Sequence, residues 1–155
     1  MKKLFLLVTT GILLLSCRGG DDTTVIDDNS SKVTLEGTWF YNRYILKNGK
    51  DGSVLISSTG GPCLSKTNQT FSSNGNFILR RFESPTGSCQ SQPIQYGTYS
   101  YNENTKELSV ILSNELHKMV INDLTHKEVE IQYKSTTDYN GDGILDIRIE
   151  IYKKL

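Results

Sequence analysis

Histidine is scarce in this chain of 155 residues: there are two, His117 and His126. Neither stands beside a nucleophile or at metal-ligand spacing, so the usual physiological acid–base group has no partner in sequence. Gly-x-Ser-x-Gly, His-Glu-x-x-His and phosphate-cradling glycine loops are also missing, which removes the commonest hydrolase, metalloprotease and nucleotide-binding chemistries. Both histidines are read as surface residues, and the expected class is a binding protein, not an enzyme. An excess of one charge is missing as well. Seventeen basic residues face seventeen acidic ones, with no basic patch to propose nucleic acid as a partner. Long apolar runs are limited to Leu4–Leu15, too short and too early to span a membrane. Helical periodicity is nearly absent from Val33 onward.

What is present begins at the N-terminus, MKKLFLLVTTGILLLSC. Two lysines precede the apolar run, as in a secretory signal. Leu14-Leu15-Ser16-Cys17 then resembles the lipobox of bacterial lipoproteins. The resemblance implies that residues 1–16 are a lipoprotein signal peptide and that Cys17 carries the lipid. Residues 17–32 are rich in Gly, Asp, Ser and Thr and are read as a disordered tether. Acyl chains contribute about 0.8 kcal/mol per buried methylene, so two or three make the membrane a firm partner. The Asp21-Asp22 pair resembles the acidic surface-export signal of Bacteroidetes lipoproteins; it reads equally well as solvated linker. The expected location is the outer membrane, facing the periplasm or the cell surface. Loss of Lys2 and Lys3 from the 17 basic residues leaves 15 against 17 acidic ones, a net charge of −2.

The folded part, residues 33–155, has the size of one domain. Short β-rich runs recur between turn signals, which is the pattern of a sandwich or barrel. Strands are read near Leu35–Leu46, Ser65–Ser72, Asn76–Glu83, Ile94–Tyr101, Glu107–Leu112, His117–Asn122, Lys127–Lys134 and Leu145–Lys153. Asn74-Gly75 is a two-residue hairpin signal with positive φ expected at both positions. Asn102–Thr105, Ser113-Asn114 and Asp123–Thr125 punctuate the later strands, and Lys47–Leu64 is the one irregular segment. The expected fold is therefore all-β: an eight-stranded up-and-down antiparallel meander, closed so that no edge is left exposed.

Three cysteines are present. With Cys17 carrying lipid, Cys63 and Cys89 remain as a pair in an oxidising compartment, where disulfides persist. The chain-entropy model gives such a loop roughly 3–4 kcal/mol. A catalytic or metal-binding pair is the alternative, but there is no Cys-x-x-Cys and no nearby histidine.

The last strands alternate cleanly. Val129, Ile131 and Tyr133 share one face of theirs; Ile147, Ile149 and Ile151 share one face of the next, opposite Arg148 and Glu150. Between them lies DYNGDGILD. Calcium loops place oxygens at positions 1, 3, 5, 7 and 9 with glycine at 6. Asp138, Asn140, Asp142, the carbonyl of Ile144, Asp146 and Gly143 fit those positions. Position 12 is Ile149 where an EF-hand has glutamate. Two readings stand: a weak structural calcium site, or a hairpin whose Asn-Gly and Asp-Gly pairs supply positive φ.

Leu35-Glu36-Gly37-Thr38-Trp39 resembles the Gly-x-Trp opening of lipocalins. Cys63, Phe71, Asn74-Gly75, Cys89 and Gly97-Thr98-Tyr99 extend the likeness to the lipocalin-like domains of Bacteroidetes lipoproteins. The resemblance implies an eight-stranded barrel with Trp39 plugging its closed end. Tyr41, Tyr44, Phe71, Phe77, Phe82, Tyr96, Tyr99 and Tyr101 either line a pocket for a small apolar ligand or fill a solid core. The second alternative leaves a surface module that meets a protein or a glycan through its loops.

Overall fold

The computed structural model describes residues 32–85, 87–133, 135 and 137–155. The expected signal peptide, Cys17 and the Asp21-Asp22 pair lie outside the described residues.

Strand β1 (Gly37–Lys47) is long enough to hold three neighbours. After it come β2 (Val54–Ser58), the single-turn helix α1 (Gly61–Leu64), β3 (Asn68–Phe71) and β4 (Asn76–Arg80). A two-stranded excursion, β5 (Phe82–Glu83) and β6 (Gln90–Ser91), precedes β7 (Gln95–Asn102). The chain ends with β8 (Glu107–Leu112), β9 (Glu115–Leu124), β10 (Glu128–Tyr133) and β11 (Ile147–Lys153). Neighbours run β1-β3-β4-β7-β8-β9-β10-β11, all antiparallel, and β11 pairs back onto β1. The ring is a closed eight-stranded barrel, as expected. Closure satisfies the backbone groups that an open sheet would leave at its edges.

The segment Lys47–Leu64 differs from expectation, because it contains β2 and α1. The first half of β1, Gly37–Phe40, pairs with β3, while Tyr44–Lys47 pairs with β2. The alternating pattern that marks a half-buried strand is missing from VLISS, whose Val54, Leu55 and Ile56 are all exposed. That absence hid β2 from a periodicity reading.

The turns explain the register. Ser113 and Asn114 both adopt positive φ, 50° and 67°, between the paired residues Leu112 and Glu115. This is the two-residue hairpin geometry. Asn74-Gly75 turns differently from expectation. Only Gly75 has positive φ, while the Asn74 side chain accepts the Asn76 amide at 3.2 Å. At Gly97, a β-carbon would collide with the Ile111 carbonyl of the next strand, so the close approach of β7 and β8 requires glycine.

The core occupies the end of the barrel where β1 begins. Trp39, Phe71, Leu108, Ile121, Val129 and Ile131 are fully buried there, each contributing about 1.5–3 kcal/mol by burial of its side chain. The Trp39 indole N–H donates to the Leu35 carbonyl at 2.7 Å, and the Lys154 ammonium stands 4.4 Å above the ring. Trp39 thus packs at the closed end, as the resemblance implied, under a lysine from the chain's last residues.

Candidate functional site

The other end is hollow. A cavity of about 940 Å³ opens there, within the volume range of ligand-binding clefts. Its walls are the inward positions of the same strands that pack the core lower down. Tyr41, Tyr44, Phe77 and Phe82 of the eight aromatic candidates line it. Phe71, Tyr99 and Tyr101 belong to the packed end, and Tyr96 is 68% exposed. The aromatic roll therefore divides among three environments. What decides is depth along the strand and the face taken, neither of which residue type reveals.

The mouth is framed by the longer connections. The Cys63–Cys89 disulfide joins α1 to the β5–β6 excursion. Leu64, Phe82 and Glu83 from these two elements line the cavity. The Phe82 amide donates to the Thr67 hydroxyl at 3.0 Å, which seats β5 beside the start of β3. His117 is exposed and sits at the rim, so its surface reading stands, with the addition that it faces the opening. His126 lies in the turn between β9 and β10.

The cavity-lining residues that periodicity missed are on β11. Val129, Ile131 and Tyr133 pair with Tyr152, Glu150 and Arg148. Their common face is the interior. Arg148, Glu150 and Tyr152 therefore line the cavity, whereas Ile149 and Ile151 are buried on the opposite face. The isoleucine stripe and the Val129 stripe do not share a face, although each alternates as expected. Tyr152 continuing the Arg148–Glu150 face was the available signal.

These residues form a network. The Arg148 guanidinium donates through Nε and Nη2 to Glu150 Oε1 at 2.9 and 2.7 Å. The Tyr152 hydroxyl donates to Glu150 Oε2 at 2.6 Å and lies 3.5 Å from the Tyr133 hydroxyl. Arg148 also stacks over the Tyr44 ring at 4.8 Å. Burial pushes the Tyr133 and Tyr152 hydroxyls well above the usual phenol range, with the Glu150 charge and, for Tyr152, the neighbouring Tyr133 adding to it. Burial, then Glu150, pushes Tyr41 up to about 12. The Tyr41 hydroxyl is buried and has no hydrogen-bond partner among the described residues. Native structures rarely leave such a group unpaired.

The Asp-rich segment lies in the connection between β10 and β11, at the mouth. It is no tight turn. Asp138 accepts the Gly141 amide at 2.7 Å and the Gly143 amide at 2.8 Å, and these bonds, Gly143 first, hold its carboxyl below the usual range. Asn140 accepts the Asp142 amide and Asp142 accepts the Ile144 amide, at 3.0 and 2.9 Å. Asp146 is buried and differs from the rest. It accepts the Tyr139 amide at 2.7 Å and the Gly49 amide at 3.3 Å, tying the β10–β11 connection to the β1–β2 turn. Gly141 and Gly143 take positive φ, as the turn reading requires. Among the described residues, no three acidic, histidine or cysteine side chains converge as a metal site. Each of the three carboxylates instead accepts backbone amides.

The lipocalin-like domain family model matches residues 35–140. The crystal structure of a lipocalin-like protein from Bacteroides uniformis is similar at 18% identity and a TM-score of 0.48, covering 78% of this chain and 98% of that one. No curated protein matches.

Proposed function

This chain belongs to the lipocalin-like domain family, and on that premise we propose that it binds a small, largely apolar ligand in the open end of its barrel and catalyses nothing. The observation that carries the reading is the cavity of about 940 Å³. Phe77, Leu79, Val110, Leu112 and Met119 supply its apolar lining. An apolar dye such as anilinonaphthalenesulfonate is expected to bind one-to-one with a gain in fluorescence. Val110→Trp, which places bulk in the cavity, should abolish that gain while leaving the circular-dichroism spectrum of the barrel intact. Dye binding that survives Val110→Trp would place the dye elsewhere and remove the support.

The alternative is a non-catalytic surface interaction module, and one observation favours it. Val54, Leu55 and Ile56 are 59%, 37% and 42% exposed on β2, whose outer edge pairs with no strand among the described residues. Such an edge suits strand addition by a partner protein, and a glycan could be met through the same loops.

We propose in addition that the chain is an outer-membrane lipoprotein anchored through Cys17. Radiolabelled palmitate should enter the wild type and not Cys17→Ser. For the loop of Asp138, Asn140, Asp142, Ile144 and Asp146 we propose a structural role, closing the mouth between β10 and β11. Calcium remains a proposal there. Its donors would be oxygens of the right chemistry, released from their present amides, with a dissociation constant of about 1 mM. A melting temperature raised by calcium and not by magnesium is expected; an unchanged one would leave the amides alone as the closure.

A further inference from the structure

The cavity wall is divided lengthwise into two unlike halves. Around the ring, β3, β1, β11 and β10 are consecutive, and so are β4, β7, β8 and β9. The first half brings Gln69, Tyr41, Arg148, Glu150, Tyr152 and Tyr133 to the cavity. The second brings Phe77, Leu79, Val110, Leu112 and Met119, with polar side chains only toward the rim.

The polar half is a strip, not a spot. β11 enters at the mouth with Ile147 and descends toward the closed end. Arg148, Glu150 and Tyr152 therefore stand at three successive depths, spread over roughly 14 Å at the rise of an antiparallel strand. The strip is joined by its own hydrogen bonds, Arg148 to Glu150 and Tyr152 to Glu150. Beside it stands the unpaired Tyr41 hydroxyl, edge-on to the Tyr152 ring at 5.7 Å between centroids.

A molecule with one polar head and a flexible tail meets such a strip at one depth and lays hydrocarbon over the rest of it. That leaves the Tyr41 hydroxyl unpaired and strips water from the Arg148–Glu150 pair without replacing it. A rigid molecule with polar groups along one face meets the strip at every depth and turns its hydrocarbon face to the other half. We infer that the ligand is a facial amphiphile: a fused-ring molecule with hydroxyl or carbonyl groups along one side. The inference rests on the cavity being the ligand site, as proposed above. It adds that the site reads a polar edge, with Tyr41, Glu150 and Tyr152 as the groups that read it.

Displacement of bound anilinonaphthalenesulfonate tests it with three probes kept below their micelle concentrations. Cholate carries three hydroxyls on one face of its rings, lithocholate carries one, and palmitate is a head and a tail. Cholate should displace the dye at about tenfold lower concentration than lithocholate, because a site built to hydrogen-bond hydroxyls rejects the analogue lacking them. Tyr152→Phe and Tyr41→Phe should each reduce that ratio severalfold and leave palmitate unchanged. Tyr41→Phe removes only a hydroxyl that has no partner, so it keeps the test open even if Tyr152→Phe does not fold. Equal displacement by cholate and lithocholate, or a preference that survives both variants, would overturn the inference while the cavity reading stands. Failure of the dye to bind, and of every probe to protect against melting, would overturn the cavity reading and the inference with it.

Discussion

The two ends of this barrel are built from the same eight strands and do opposite things. At the closed end, successive inward positions carry Trp39, Phe71, Leu108, Ile121, Val129 and Ile131, all buried to 1% exposure or less. The turns there are short: Gly75 alone turns β3 into β4 with positive φ. At the open end the inward positions carry tyrosines, an arginine and a glutamate around empty space. Apart from the Ser113-Asn114 turn, the connections are longer and held by other means: a disulfide on one side and a buried aspartate on the other. Close packing cannot stabilise an end that must stay hollow. Covalent and hydrogen-bonded ties take its place, and the difference separates the end that packing stabilises from the end that such ties hold open.

The sharpest way to break that division is Trp39→Ala. Removing a fully buried tryptophan costs about 3–5 kcal/mol, lowering the melting temperature by roughly 10–20 °C. Dye affinity at temperatures where the variant is folded should not change, since Trp39 does not line the cavity. A large loss of affinity with little loss of stability would show that the two ends are not separable.

Reduction of Cys63–Cys89 strikes the other end. The two cysteines are 26 residues apart, and the chain-entropy model assigns such a loop roughly 3–4 kcal/mol. Here, unlike at Trp39, affinity should fall along with stability, because α1 and β5 both line the mouth. Paired melting and dye titrations of Cys63→Ser/Cys89→Ser against wild type give the comparison. Intact affinity in the double variant would detach the flap from binding.

Asp146→Ala is expected to act more weakly, by about 1–3 kcal/mol, through the Gly49 and Tyr139 amides it would leave unpaired. Hydrogen exchange should accelerate at those two amides and not at the closed end. Acceleration spread evenly through the barrel would show that the aspartate supports the whole fold and not the mouth.

The meander was legible because it is local. Alternation in β10, the Ser113-Asn114 turn and the strand-ending Phe71 are all written within a few residues. The closed end was legible through Trp39, and the disulfide through the scarcity of other partners for Cys63 and Cys89. The site was not. Whether Arg148 or Ile149 faces inward depends on how β11 registers against β10 and β1, two long-range pairings that alternation cannot fix. Ile147, Ile149 and Ile151 look like core by type; the register gives that interior to Arg148, Glu150 and Tyr152. Asp138 and Asp146 looked equivalent as ligands, yet one is half-buried and caps its own loop while the other is buried and bridges to Gly49.

The last test leaves stability at neutral pH untouched and reads the polar wall directly. There are eight tyrosines. Burial pushes Tyr41 up to about 12 and raises Tyr133 and Tyr152 as well. A phenol whose folded value is raised contributes stability that is fully present below its unfolded value, about 10. That stability is lost as pH rises through the folded value. Stability should therefore be level up to about pH 10 and fall between 10 and 12 as these hydroxyls are forced to ionise beside Glu150. Tyrosinate absorbance should show a late phase from Tyr41, Tyr133 and Tyr152 that coincides with loss of the barrel's circular dichroism. Ionisation of all eight near pH 10 with the barrel intact would mean that water reaches the polar wall freely. The hollow end would then be a shallow, wet cleft, and the contrast with the closed end would lose its meaning for binding.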